Sequence, residues 1–427
     1  MQPGCATGCK ADQRCRSGLR LPIRQSVRLF NSRNYRLWAA ADLVSVTGTW
    51  MKVLGVNWFV LQATGSTTSM GLALMLQTLP ILLFGPLGGA LADRLPVRRV
   101  LLVTQAAHAV LSAGFAVVVL FGGHLSWLYL LAFLTGLVSA ADGPALGRFG
   151  GMVSGPALLS QALANGSLIS STGRIIGMSL GGVVAATAGP AVLFLANAVS
   201  FAAVIAALLA MRTSSLHQLA AAAPAERGAV RAGFRYLATQ PTVLVVLGVA
   251  FVLGSIGRNY QVTMAAMSFG PLSGGPAGYG VLSTVFAAGT VLGAIVVGRF
   301  RELRLQLLVG AGVVASVLQM VAGATPGLWS FAAVLVPIAA AAVIVDTTVS
   351  TRVQLDTRED MRGRVLAAAA VVSALGGMVG APVLGALCEA IGPRETLVVA
   401  GAIGVLACAA GAVLLLRRSA EVPVLAE

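Results

Sequence analysis

Twelve stretches of roughly twenty apolar residues, almost free of charge, recur from one end of this chain to the other. Each is close to the ~20 residues needed for a helix to cross a hydrocarbon core about 30 Å thick. Backbone polar groups cannot be left unpaired in lipid, so only helices or a closed barrel can span it. The runs are rich in Leu, Ala, Val and Gly and lack the alternation of a barrel strand, so they read as helices. Composition agrees: of 427 residues, 57% are hydrophobic and 10% are charged, against roughly 25% charged in soluble domains.

The spans expected are 36–62, 69–92, 100–122, 125–146, 160–186, 190–211, 242–266, 277–298, 305–323, 328–351, 365–389 and 396–416. A net charge of +15 would suit a nucleic-acid binder, but its distribution argues otherwise. Of the 29 basic residues, 25 fall in the two ends or in alternate loops, only Arg394 falls in the opposite loops, and Lys52, Arg174 and Arg258 lie inside spans. Basic loops face the cytoplasm. The charge therefore orients a multi-pass protein with both termini cytoplasmic, as expected in a cell inner (plasma) membrane, and no nucleic-acid partner is expected.

Residues 1–35 are basic without an apolar stretch of their own, which predicts a cytoplasmic tail and not a signal peptide. Cys5, Cys9 and Cys15 there match no metal-ligand spacing. The most polar internal stretch, 212–240, divides the spans six and six. The expected organisation is thus a tail (1–35), a six-helix half (36–211), a cytoplasmic central loop (212–240), a second six-helix half (241–417) and a short tail (418–427). The halves echo each other: Gly173, Gly177, Gly182, Gly189 and Pro190 recur 203 residues later as Gly376, Gly380, Gly385, Gly392 and Pro393. An even number of spans per repeat keeps the two halves parallel, the arrangement in which a substrate site lies between them.

Between the second and third spans stands GGALADRLPVRR (Gly88–Arg99). This loop resembles the signature of the major facilitator superfamily, with Gly89, Leu91, Asp93, Arg94, Arg98 and Arg99 matching and Val97 standing where the family has glycine. Further matches, including Tyr35, Gly48, Trp50, Trp58, Thr64-Gly65-Ser66, Gly71, Pro80 and Arg362-Gly363-Arg364, resemble the transmembrane secretion effector branch, which includes the enterobactin exporter. The resemblance implies an all-α fold of twelve helices in two parallel six-helix halves. It also implies a conformational latch in which Asp93 faces the start of the eleventh helix at Arg362 and Arg364, while a loop arginine (Arg94, Arg98 or Arg99) pairs with Asp142 of the fourth. The alternative for these charges is plain orientation and helix capping. In the fifth span, Gly173, Gly177, Gly181 and Gly182 resemble the glycine element of drug–proton antiporters; close helix packing explains the same glycines.

Charges within the membrane cost at least ~2.5–3.5 kcal/mol each on insertion scales and require a reason. Asp42, Ser45, Thr49, Lys52 and Asn57 share one sector of the first helix, a wet face towards a central cavity. Asp42 is the first candidate for proton coupling, because a carboxyl group withdrawn from water can exchange a proton usefully; pairing with a tail arginine is the alternative. Lys52 and Arg258 hold related places in the first and seventh spans and either favour an anionic substrate or snorkel to outer headgroups. Arg174 requires a partner, for which Asp346 and Asp42 are the available acids. His108 is a proton relay or a hydrogen-bonded core residue.

These readings predict a secondary transporter, either an exporter of a small amphipathic molecule such as a drug-like compound, metabolite or siderophore, or an importer of the same fold. A membrane protein without transport activity is the weaker alternative. No P-loop and no HExxH or GxSxG element occurs, so no enzyme activity, cofactor or metal is expected. The proton gradient is the expected driving force, supplying about 2.3 kcal/mol per 100 mV. The expected partners are the small-molecule substrate and the lipid bilayer, and the expected state is a monomer.

Overall fold

A computed structural model describes residues 29–218, 229–257, 259–300 and 302–421. Among these residues there is no strand; the chain runs as twelve long helices in two sets of six. The first set is α1 (Arg33–Thr64), α2 (Thr67–Arg94), α3 (Val97–Leu120), α4 (Leu125–Ser154), α5 (Leu159–Thr187) and α6 (Pro190–Ala210). The second is α7 (Pro241–Phe269), α8 (Gly275–Val297), α9 (Leu305–Gly323), α10 (Leu328–Leu355), α11 (Arg362–Ile391) and α12 (Pro393–Glu421). Eleven are apolar and long enough to cross a membrane. The twelfth, α1, is long enough but more polar, because it carries Asp42, Lys52 and their hydroxyl neighbours.

The helix ends follow from local chemistry. Gly65 closes α1 in the left-handed region at φ 66°, and the Ser66 hydroxyl then accepts from the Ser69 N–H to cap α2. The two halves end their fifth helices alike: Gly189 at φ 82° and Gly392 at φ 94° each turn the chain, and Pro190 and Pro393 open the next helix. Helix α7 departs from its counterpart α1. Its α-helical ends, Pro241–Val252 and Tyr260–Phe269, are separated by a π turn at Leu253–Gly257 that apolar periodicity does not reveal.

Glycine spacing sets which helices touch. A Cβ on Gly173 or Gly177 would strike Val46 or Trp50, and Gly181 lies against Met51, so this face of α5 packs on α1. Gly376 and Gly380 do the same for α11 against Ser255 in the π turn of α7. One turn further, Gly182 meets Gly280 of α8 and Gly385 meets Thr67 of α2, each in the opposite half. The 203-residue echo is therefore a repeated packing code, one segment for a helix of the same half and the next for the seam between halves.

The core shows how the halves sit. At the end holding the α1–α2 and α5–α6 turns, one apolar cluster contains Leu54, Leu61, Met70 and Phe194 together with Met264, Tyr279, Phe331 and Leu384, so it runs through both halves. At the arginine-rich end the core is split. Leu101, Phe149 and Leu208 belong to one cluster, while Val246 and Leu308, and separately Leu247 and Val365, belong to others. The molecule is sealed at the first end and parted at the basic end.

At both ends the helices run a few residues past the expected bounds, and the central loop contains a short helix. The chain is already ordered before residue 36, since α1 starts at Arg33 and Leu29 is buried in the basic-end core. Within 212–240, Ala229–Ala238 forms a linker helix, whose Gly233 lies against the Arg364 backbone. The last helix continues past residue 417 to Glu421. The cysteines of the N-terminal tail lie outside the described residues.

Candidate functional site

The parted basic end leads into the first half. Two cavities, about 570 Å³ and 320 Å³, share Trp38, Asp42, Trp50, Leu146 and Ser170 as lining. The outer one lies between α1, α4 and α5, with exposed Leu163 and Ser167 at its mouth and Arg174 on its wall. The inner one is walled by Asp42, Ser45, Thr49 and Lys52 of α1, Gln77 of α2, Gln105 and His108 of α3, and Ser139 and Asp142 of α4. Helical spacing thus brings four of the five polar residues of α1 onto one cavity wall. Asn57, the fifth, is buried in the sealed end, where its amide donates to the Tyr279 hydroxyl at 3.1 Å across the seam.

Lys52 is 4% exposed, and its ammonium lies 6.0 Å from the centre of the Phe115 ring. It does not snorkel: about 18 Å of helix separates it from the sealed end of α1. Asp42 is half-buried at the junction of the two cavities, with no hydrogen bond or ion pair to its carboxylate among the described residues. Arg258 lies outside the described residues. Arg174 finds its partner in neither acid. Its Nη2 donates to the Thr290 hydroxyl of α8, in the other half, and its guanidinium lies 5.6 Å over the Trp50 ring. A planar cation suits both contacts. Asp346 sits on an exposed face of α10.

Asp142 is the main correction. The sequence places it near the cytoplasmic end of a span stopping at residue 146, within reach of a loop arginine. In the structure α4 runs on to Ser154, because Phe149 packs against Trp38 and Arg148 is ion-paired. Asp142 therefore lies about 18 Å inside the helix end. It is 6% exposed, accepting from the Thr104 hydroxyl at 2.5 Å and the Gln105 amide at 2.9 Å. His108 Nε2 stands 3.9 Å away, its ring stacked on Phe201.

The seven expected latch residues are not assembled in this conformation. Asp93 pairs with Arg148 of α4 at 2.6 Å, a residue that the sequence marked only as part of the basic side. Arg98 donates to the Leu208 carbonyl at 2.7 Å, capping the end of α6. Arg94 and Arg99 are exposed. Arg362 donates to the Gln354 carbonyl and lies 3.5 Å from Glu359, and Arg364 contacts the Met361 sulfur. The parting of the core at the basic end explains why Asp93 does not meet Arg362 or Arg364, which belong to the opposite half. Asp142 and the loop arginines share one half, and there it is the depth of Asp142 that keeps them apart.

The seam itself carries groups that single-sequence patterns do not disclose. Thr67 and Thr68 of α2 bond to Gly385 and Glu389 of α11, and Ser179 of α5 lies 2.9 Å from Thr284 of α8. These contacts pair residues hundreds of positions apart, so only the glycine echo hinted at them.

Among the described residues no cluster of His, Cys, Asp and Glu could hold a metal ion. What the site offers is an ionisable pocket lined by residues of the first half. Residues 24–424 match the transmembrane secretion effector family of major facilitator transporters. The chain belongs to this family. As such it is a membrane transporter and not an enzyme.

Sequence relatives are transporters as well. This protein is 26% identical over 391 residues to the uncharacterised MFS-type transporter YfiS of Bacillus subtilis, covering 87% of this chain and 91% of that one. Over shorter stretches it is 28% identical to the staphyloferrin A transporter of Staphylococcus aureus (36% of this chain, 39% of that one). It is 29% identical to the multidrug efflux pump Tap of Mycobacterium tuberculosis (40% and 42%). The fold matches the nucleoside transporter NupG, with a TM-score of 0.70 at 13% identity, covering 92% of this chain and 99% of that one. It also matches a bacterial homologue of the lysosomal transporter Spinster, in an inward-facing and occupied conformation, with a TM-score of 0.67 at 16% identity (90% and 97%).

Proposed function

We propose that this protein is a proton-coupled antiporter that exports a small amphipathic molecule across the cell inner membrane, with both termini cytoplasmic. The observation that carries this reading is the cavity holding Asp42 and Lys52, open at the basic end and sealed at the other. Basic loops belong on the cytoplasmic side, so the open mouth would collect substrate from inside the cell. Trp38 and Trp50 offer apolar faces, while Asp42, Lys52 and Arg174 offer charge. That combination suits a molecule with an aromatic body and polar substituents. The similarity to a staphyloferrin A transporter and to a multidrug efflux pump supports drug-like compounds and siderophores as candidates. Asp42, with no acid or base bound to it, takes the proton, and the protein works as a monomer without a cofactor.

The test uses inside-out membrane vesicles loaded with the protein and labelled catecholates or common antibiotics. Export predicts accumulation that collapses when a protonophore is added and is lost in Asp42→Asn. Accumulation only in right-side-out vesicles would establish import instead. Accumulation that survives the protonophore would overturn the coupling.

A further inference from the structure

We infer that Asp142, together with Gln105 and His108, forms a second protonation site deeper in the first half than Asp42. This deepens the proton-coupled reading above and rests on that reading for its part in transport, although the chemistry can be tested alone.

Three observations meet here. First, the Asp142 carboxylate is buried and, among the described residues, no lysine or arginine lies within salt-bridge reach of it; hydrogen bonds from Thr104 and Gln105 hold it. An isolated buried charge is expensive unless it is paired. Second, Gln105 spends its amide N–H₂ on both Asp142 oxygens, at 2.9 and 3.1 Å, which leaves its own buried carbonyl oxygen without a partner. A protonated Asp142 supplies the missing donor, because a flip of the Gln105 amide turns that oxygen towards the new O–H. The site thus offers a hydrogen-bond set for each protonation state, and the orphaned acceptor is satisfied only in the protonated one. Third, both side chains line the inner cavity, so water reaching it meets the carboxylate directly.

The exchange is a simple one. Hydronium in the cavity gives its proton to the Asp142 carboxylate and leaves as water; the carboxyl group later returns the proton to a water molecule. The titratable and charged groups facing this exchange from the neighbouring helices are Asp42 and Lys52 of α1, His108 of α3 and, at the outer cavity, Tyr35 of α1 and Arg174 of α5. From α2 and α6 the lining is Gln77, Phe201 and Val204, none of which titrates. His108 Nε2, 3.9 Å from Asp142 Oδ2, is too far for a hydrogen bond and close enough to favour the ionised carboxylate when the ring is charged.

Infrared difference spectra of the purified full-length protein, without substrate, test the assignment. Lowering the pH from about 9 to about 5 should raise a protonated-carboxyl band that Asp142→Asn removes and Asp42→Asn retains. Gln105→Met, which keeps the bulk and removes the amide, should change the proton affinity of that band at least about threefold. If the band that Asp42→Asn retains also persists in Asp142→Asn, the assignment is overturned. So does an unshifted band in Gln105→Met, which decides the matter if Asp142→Asn does not fold. Vesicle transport that fails while the band behaves as expected would count against the export reading and leave this site standing.

Discussion

The carboxylate of Glu389, near the end of α11, accepts two hydrogen bonds from Thr68 at the start of α2, one from the backbone N–H at 2.9 Å and one from the hydroxyl at 2.8 Å. An acid from one half thus caps the first turn of a helix from the other, where unpaired N–H groups and helix polarity favour an anion. Beside it the Thr67 hydroxyl donates to the Gly385 carbonyl at 2.7 Å. These bonds cross the seam between the halves at the sealed end.

Glu389→Gln should therefore shift the protein towards the conformer open at this end. Losing the charge-assisted part of the pair costs about 1–2 kcal/mol, which corresponds to a roughly 5- to 30-fold change in the ratio of conformers. Spin-label distances across the α2–α11 seam would read the shift. An unchanged distance distribution would show that the apolar cluster alone holds the seal.

Two glycines of α5 separate stability from conformation. Gly177→Ala places a methyl group 2.8 Å from Trp50 Cβ inside one half, and such overpacking costs about 1–3 kcal/mol, so thermal unfolding should start at lower temperature. Gly182→Ala places its methyl 2.7 Å from Gly280 Cα across the seam. A rocking of the halves relieves that clash, so this variant should keep its melting behaviour and populate the conformer opened at the sealed end. Equal melting losses in both variants would contradict the division.

Lys52 is buried and, among the described residues, makes no ion pair, an arrangement that stability alone would not favour. Lys52→Met should leave the melting temperature unchanged or raised while reducing substrate accumulation in vesicles. A loss of more than about 2 kcal/mol of stability would instead assign Lys52 a structural part.

Asp93→Asn breaks the ion pair with Arg148, whose side chains are 41% and 20% exposed. Exposed pairs of this kind contribute about 0–1 kcal/mol, so stability should hardly move. Turnover should fall if Asp93 changes partners when the basic end closes, and transport rates measured at saturating substrate would show it. Equal rates in variant and parent would reduce Asp93 to an orienting charge.

Much of the architecture was legible in the order of residues, for physical reasons. A lipid core tolerates only long, internally bonded apolar segments, so the span boundaries fall within a few residues of the helices at most positions. Helical periodicity of 3.6 residues placed Asp42, Ser45, Thr49 and Lys52 together, and glycine spacing marked the close approaches of α5 and α11. The misplacement of Asp142 shows where that reasoning stops. Gly147, Gly150 and Gly151 read as a loop, and only the packing of Phe149 on Trp38 and the bond from Arg148 to Asp93 carry the helix past them. Likewise, no local pattern could select Thr290 for Arg174, or Thr68 for Glu389.

By itself, then, the sequence determined a twelve-helix, two-half membrane protein with its charge gathered at one end, because those properties follow from hydropathy, period and count. That it is a transporter came from the resemblance of its signature loop to a family. Which end is sealed, which polar groups face the cavity and which close the seam were decided only by the tertiary structure. Those depend on contacts between residues far apart in the chain, and on how two rigid halves happen to lean.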